Sequence, residues 1–194
     1  MKRAFQSLVA AQVSFFGLIA LCAVLLPGQF IVNGISYFGV HQPTIILYSL
    51  ACVLSSFFLA AAALSLPRTE PQLHILSIIL GIAAVLMLAI LMFPYSVSDL
   101  FQLIHVLISV ALFVLEFATS IWAWVINRSR LIGWLFCIEL ACGLLAAISL
   151  PHLLGFEAFG EIGFQFFFVL ILERFLGGAM RPSRQPVLSG NTTV

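Results

Sequence analysis

The stretch Leu100–Ile126, LFQLIHVLISVALFVLEFATSIWAWVI, decides how the rest of the chain is interpreted. It is apolar and exceeds the roughly 20 residues that a helix needs to cross a bilayer. Five polar side chains interrupt it: Gln102, His105, Ser109, Glu116 and Ser120. At ~100° per residue these positions fall within an arc of about 60°, so they form one stripe along the helix. Such a stripe normally faces other helices or a wet cavity, which predicts that this helix has an inward face.

The composition indicates that this helix belongs to an integral membrane protein. Of the 194 residues, 63% are hydrophobic and 8% are charged, whereas about 25% of residues are charged in soluble domains. Repeated apolar runs of roughly 20 residues predict a polytopic all-α protein, because the strands of a β-barrel would be shorter and alternating. The net charge is +1, and no basic patch is interleaved with aromatic residues. We therefore expect no nucleic-acid partner.

Prolines, glycines and charged residues divide the apolar sequence into six predicted membrane-spanning helices. Their predicted ranges are 5–26, 44–66, 73–93, 100–126, 131–150 and 157–176. These helices form a single predicted domain over residues 1–176. Residues 177–194 are rich in Gly, Pro, Arg and Ser, and we expect them to form a disordered cytoplasmic tail.

The distribution of basic residues predicts the orientation of the bundle. All eight Lys and Arg residues lie before the first helix, in the second and fourth connections, or at and after the end of the sixth helix. The three opposite connections contain none. Because basic residues stay on the cytoplasmic side, both termini are predicted to be cytoplasmic. The expected location is the plasma (inner) membrane, crossed several times.

Polar side chains collect on the predicted outer side. The candidate outer vestibule comprises Tyr37, His41, Asp99, Gln102, His105, His152, Glu157, Glu161 and Gln165. We expect the loop 33–42 to fold over the open end of the bundle, so that Tyr37 or His41 approaches His105 or Glu161. Two interpretations remain open: a polar vestibule that binds a ligand, and a hydrogen-bonded cap that only orders the loops.

A second polar group lies deeper, in the fourth and fifth predicted helices. This candidate buried network comprises Ser109, Glu116, Ser120 and Glu139. Hydrocarbon disfavours the charged form of an acid, and no basic residue lies inside a span to neutralise it. The two acids are therefore either protonated groups that brace the bundle, or members of a proton relay or a cation pathway.

Local signatures of catalysis and of metal binding are missing. The four cysteines all lie in apolar runs without a CxxC pair, and neither HExxH nor GxSxG occurs. We therefore expect no metal and no cofactor. The favoured function is a non-enzymatic bundle that interacts with membrane lipids or with another membrane protein. The alternatives are a small proton-coupled transporter that uses Glu116 and Glu139, and a membrane-embedded lipid-modifying enzyme with an outer-side polar site.

The order of these features resembles a family of six-helix prokaryotic membrane proteins catalogued as domain of unknown function 998. The similarity rests on the loop Asn33-Gly34-Ile35-Ser36-Tyr37-Phe38-Gly39, the histidine of the fourth helix, and Glu173-Arg174 at the end of the sixth. In this chain Tyr37 stands where the family's loop more usually has an aspartate. A looser likeness links the chain to the Frag/DRAM/Sfk group of six-helix proteins. The first resemblance implies a six-helix topology, and the second implies lipid handling.

Overall fold

The computed structural model describes residues 1–28, 30–149 and 156–179, and within these ranges the protein is all-α, without a strand. Six long helices are present: α1 (Lys2–Leu25), α3 (Ile45–Ser65), α4 (Pro71–Met92), α5 (Asp99–Asn127), α6 (Arg130–Ser149) and α7 (Glu157–Ala179). By length and composition, each of these six could cross a membrane. The prediction of an all-α chain with six such helices is confirmed.

The segments between and after the long helices differ from the sequence-based expectation in two places. The predicted loop after α1 contains a single helical turn, α2 (Phe30–Asn33), followed by a 3₁₀ helix (Ile35–Gly39). α7 continues to Ala179 rather than ending at 176, because an apolar environment favours internally satisfied backbone hydrogen bonds even across two glycines. The rest of the predicted tail, residues 180–194, lies outside the described residues.

Short local signals set several helix ends. The Ser98 hydroxyl accepts a hydrogen bond from the Phe101 N–H at 3.3 Å and so caps α5, while Asp99 in the first turn suits the positive end of the helix dipole. Arg128 adopts a left-handed conformation with φ of 48° and ends α5. Pro71 begins α4, where its missing N–H leaves no helical bond unmade.

Five of the long helices form a closed ring. Each one contacts the next in the order α1, α3, α4, α5, α7 and back to α1. α6 lies outside this ring, packed closely along α7 and only sparsely against α5. The end of the bundle at which α7 begins is called the Glu157 end, and it is covered by α2 and the 3₁₀ helix.

Small residues bring α6 and α7 together. A Cβ added at Gly160 would lie 2.4 Å from the backbone nitrogen of Ala146, and one added at Gly163 would lie 2.6 Å from the Cys142 sulfur. At Gly160 no side chain larger than hydrogen fits without moving the α6 backbone, whereas at Gly163 the Cys142 side chain would have to move. The close contact of α6 with α7 therefore depends on glycine, as is common between membrane helices.

Candidate functional site

The loop after α1 is attached to the first turns of α7 through its backbone. The Ile35 N–H donates a 2.6 Å hydrogen bond to Glu161 Oε2. Gly34 has a φ of 74°, and a Cβ at this position would lie 2.9 Å from both Glu157 Oε1 and Glu161 Oε2. Only glycine meets both constraints without strain. The loop thus closes over two acidic side chains that the sequence places four residues apart.

His105 joins the same loop to α4 and α5. Its Nδ1 lies 2.9 Å from the carbonyl oxygen of Phe93, and its Nε2 lies 3.1 Å from Ser36 Oγ. A carbonyl can only accept, so Nδ1 carries the proton of that hydrogen bond. The ring also packs edge-on against Tyr95, with centroids 5.7 Å apart. His105 is buried, and both of its ring nitrogens have hydrogen-bond partners within the protein.

Tyr95 completes this region from the turn between α4 and α5. Burial raises the pKa of its phenol, and the neighbouring Tyr37 and Glu157 raise it further. The Tyr95 hydroxyl is therefore a neutral group that can donate a hydrogen bond.

His41 forms its hydrogen bond within its own loop. Its Nδ1 donates to the Tyr37 carbonyl oxygen at 2.8 Å, and its ring stacks on the Tyr37 ring with centroids 3.7 Å apart. The neighbouring Thr44 is buried and donates its hydroxyl to the Phe38 carbonyl oxygen at 2.9 Å. These contacts make the segment from Tyr37 to Thr44 a compact structural unit.

A cleft of about 400 Å³ lies between α5 and α6 at the Glu157 end. Its polar lining residues are Asn33, Ser36, Tyr95, Gln102, His105, Ser109, Glu157 and Glu161. Its other lining residues are Val106, Val110, Phe113, Gly143, Ala146 and Ala147. Val106 and Val110 are about half exposed on the outer surface of the bundle, at 48% and 53%. The cleft therefore opens sideways, where the hydrocarbon of a membrane would lie.

The structure divides the predicted vestibule among several places. Gln102, His105, Glu157 and Glu161 line the cleft together, and Ser109 from the predicted buried network lines it too. Tyr37 and His41 contact each other, while Asp99 is exposed at the start of α5. His152 lies outside the described residues.

The two deep acids have separate partners. Glu116 Oε2 accepts a 2.6 Å hydrogen bond from Gln165 Nε2, so Gln165 belongs to the interior of the ring and not to the cleft. Glu139 Oε1 accepts a 2.9 Å bond from the Ser120 hydroxyl, and its Oε2 has no partner among the described residues. Both carboxyl groups are almost fully buried. Glu139 is nevertheless close enough to Glu116 for the two acids to interact electrostatically.

Several functional contacts were not anticipated from the sequence. The close approach of Gly34 to the two acids, the Ser36–His105 bond and the Gln165–Glu116 bond all join segments far apart in the chain. One sequence feature pointed towards these contacts. The i, i+4, i+8 spacing of Glu157, Glu161 and Gln165 places all three side chains on one side of α7. In the part of the chain that the structure describes, no three His, Cys, Asp or Glu side chains come together as potential metal ligands.

Comparison with known proteins does not extend the assignment. No family model, no curated protein and no solved structure matches this chain. The resemblance to the six-helix family of unknown function therefore stays a prediction.

Proposed function

We propose that this protein is a multi-pass protein of the inner (plasma) membrane with both termini in the cytoplasm. Six helices of membrane-spanning length and apolarity support insertion. The segregation of all eight basic residues supports the orientation. In this arrangement the Glu157 end faces outward.

Cysteine labelling tests the orientation. Gln42→Cys, in the exposed segment before α3, should react with a membrane-impermeant thiol reagent in intact cells. Ser129→Cys, in the connection between α5 and α6, should react only after the membrane is permeabilised. Labelling at position 129 in intact cells would contradict the proposed orientation.

Within this topology, we propose that the bundle binds a membrane amphiphile in the cleft between α5 and α6. The observation that supports this most directly is the mixed lining of the cleft, which combines acids, hydroxyls and amides with apolar side chains. An amphiphile likewise combines a polar head group with an apolar chain. The half-exposed Val106 and Val110 form the side through which its acyl chain would enter from the bilayer.

Charge complementarity favours an ammonium head group on this ligand. Two carboxyl groups, Glu157 and Glu161, line the cleft, and no Lys or Arg lies among the described lining residues. An ammonium can donate several hydrogen bonds to such acceptors. An aminophospholipid satisfies this requirement, and its phosphate can accept hydrogen bonds from the Tyr95 hydroxyl and the exposed Gln102 amide.

His105 positions the loop over the cleft. Its ring nitrogens form hydrogen bonds with the Phe93 carbonyl and the Ser36 hydroxyl, and these bonds join the loop to α5 and to the end of α4.

Native mass spectrometry of the protein released from mild detergent tests lipid binding with a matched pair of variants. Ala147→Trp fills the cleft, whereas Ala141→Trp adds the same side chain at an exposed α6 position that does not line it. We expect bound aminophospholipid on the wild type and on Ala141→Trp, and its loss from Ala147→Trp. Equal retention by both variants, or a preference of the wild type for an anionic lipid, would refute the proposal.

A further inference from the structure

Two further cavities lie among the five helices of the ring, and the larger one also reaches Ala146 of α6. One of about 140 Å³ is lined from every helix of the ring, including Phe15 of α1, Tyr48 of α3, Met87 of α4, Ser109 of α5 and Gln165 of α7. A smaller one of about 30 Å³ lies beside Glu116 and is lined by Gln12 and Ser55 as well. The larger cavity has room for several water molecules and the smaller one for about one, since a water occupies ~30 Å³ in the liquid.

Polar side chains on α7 stand where these spaces adjoin. Glu161 lines both the cleft and the larger cavity. Gln165, one turn further along α7, lines both the larger cavity and the smaller one. Cleft, cavity and Glu116 therefore follow one another in sequence, with a hydrogen-bonding group at each junction.

An unpartnered amide indicates water at the far end of this series. Gln12 Nε2 is buried and has no hydrogen-bond partner among the described residues, yet the Gln12 side chain lines the small cavity beside Glu116. Buried donors are normally satisfied by protein or by ordered water. A water in this cavity would satisfy the amide.

The groups that surround Glu116 provide no cation to pair with a carboxylate. Gln12 faces it from α1, Ser55 from α3, Met87 from α4 and Gln165 from α7. The other acids nearby are Glu139 of α6, bonded to Ser120, and Glu161, one turn from Gln165 on α7. Glu116 lies about 16 Å along α5 from Asn127, at ~1.5 Å per residue, and so near the middle of a bilayer about 30 Å thick. A charge left unpaired at that depth is costly, so a proton is the ligand that this carboxyl group suits best.

We propose that Glu116 is a proton-binding site reached from the Glu157 end through the cleft, past Glu161 and Gln165. A hydronium ion in the cavity transfers its proton to the Glu116 carboxylate, which leaves a neutral carboxylic acid and one water. In the other direction the small cavity is lined by Leu59, Phe168 and Val169, whose apolar side chains offer a proton no hydrogen-bonding group. The proposed path thus leads to one face of the membrane, as a proton-coupled carrier requires in one of its two states. The proton site does not require a lipid to be bound in the cleft.

Thiol accessibility tests the path itself. In a background with all four native cysteines replaced by alanine, Gln165→Cys is compared with Val114→Cys, whose native side chain is 57% exposed on the lipid-facing side of α5, two residues from Glu116. A small, charged, membrane-impermeant methanethiosulfonate is added to the Glu157 face of sealed vesicles. We expect labelling at position 165 and no labelling at position 114. Absence of labelling at 165, or equal labelling at both positions, would overturn the proposal.

Infrared difference spectroscopy tests the proton site without cysteine variants. Glu116→Gln should abolish a protonated-carboxyl band that Glu70→Gln, a change at an exposed position between α3 and α4, retains. In oriented vesicles the band should weaken when the pH is raised on the Glu157 face and not when it is raised on the opposite face. A band that is absent, insensitive to pH, or responsive only to the opposite face would refute the site.

Discussion

The two sides of α6 differ in how closely they pack. Towards α7, small residues allow the two helices to touch, and a side chain at Gly160 would clash with the backbone of Ala146. Towards α5, its neighbour in sequence, α6 diverges and leaves the cleft. A short connection between two helices therefore does not guarantee that they pack along their length. In a membrane, where apolar surface gains little by leaving lipid, close contact requires complementary shape.

Overpacking the tight side should give the largest effect. Gly160→Ala introduces a Cβ 2.4 Å from the backbone nitrogen of Ala146, so α6 must move away from α7. We expect a loss of about 3 kcal/mol in the free energy of unfolding, the upper end for overpacked sites. Unfolding in mixed detergent micelles measures it.

Gly17→Ala in α1 is the matched control for this change. A Cβ at position 17 meets nothing within 4 Å. Its effect should be neutral or stabilising by up to about 1 kcal/mol, because alanine favours the helix. If both alanine variants behave alike, the close contact of α6 with α7 does not limit stability.

A change in the loop above the cleft should have the second-largest effect. Gly34→Ala combines a φ of 74° with a Cβ 2.9 Å from two carboxylate oxygens, and we expect a cost of about 2 kcal/mol. Gly28→Ala, with a φ of 93° and open space around the new Cβ, separates backbone strain from the clash. A larger loss for Gly34→Ala in thermal unfolding is expected, and equal losses would show that the loop does not press on the acids.

Away from the cleft, one polar contact joins α5 to α6. Ser120→Ala removes the hydroxyl that donates to Glu139 Oε1 at 2.9 Å and leaves the buried carboxyl group without that partner. We expect a loss of about 1 kcal/mol, and Ser120→Thr, which keeps a hydroxyl, should lose less. The reverse order in unfolding experiments would mean that packing and not this hydrogen bond joins the helices.

The smallest expected effect is a loss of stability at alkaline pH that is caused by Tyr95. The pKa of Tyr95 is raised in the folded protein, so above the ordinary tyrosine pKa of about 10 the unfolded chain ionises first. The contribution of Tyr95 is therefore intact below that pH and decreases as the pH rises. Tyr95→Phe should reduce this alkaline loss in unfolding midpoints. An unchanged pH profile would contradict the expectation.

The sequence was more informative about single helices than about their neighbours. The fourth predicted helix carried a polar stripe, and His105, Glu116 and Ser120 of that stripe are buried, whereas Gln102 is exposed near the end of the bundle. The periodicity of one helix determines which residues share a side. It does not determine which helix that side meets.

By itself, the sequence determined the number of membrane-length helices and the segregation of basic residues, because both follow from residue type along the chain. Tertiary structure alone decided that Gln165 bonds to Glu116, that Glu139 bonds to Ser120, and that α6 lies outside a five-helix ring. Apolar surface is equally compatible with lipid and with a neighbouring helix, so hydropathy does not select packing partners. Close approach at Gly160 and Gly34 and the few polar contacts make that selection, and these depend on distances between residues remote in the chain.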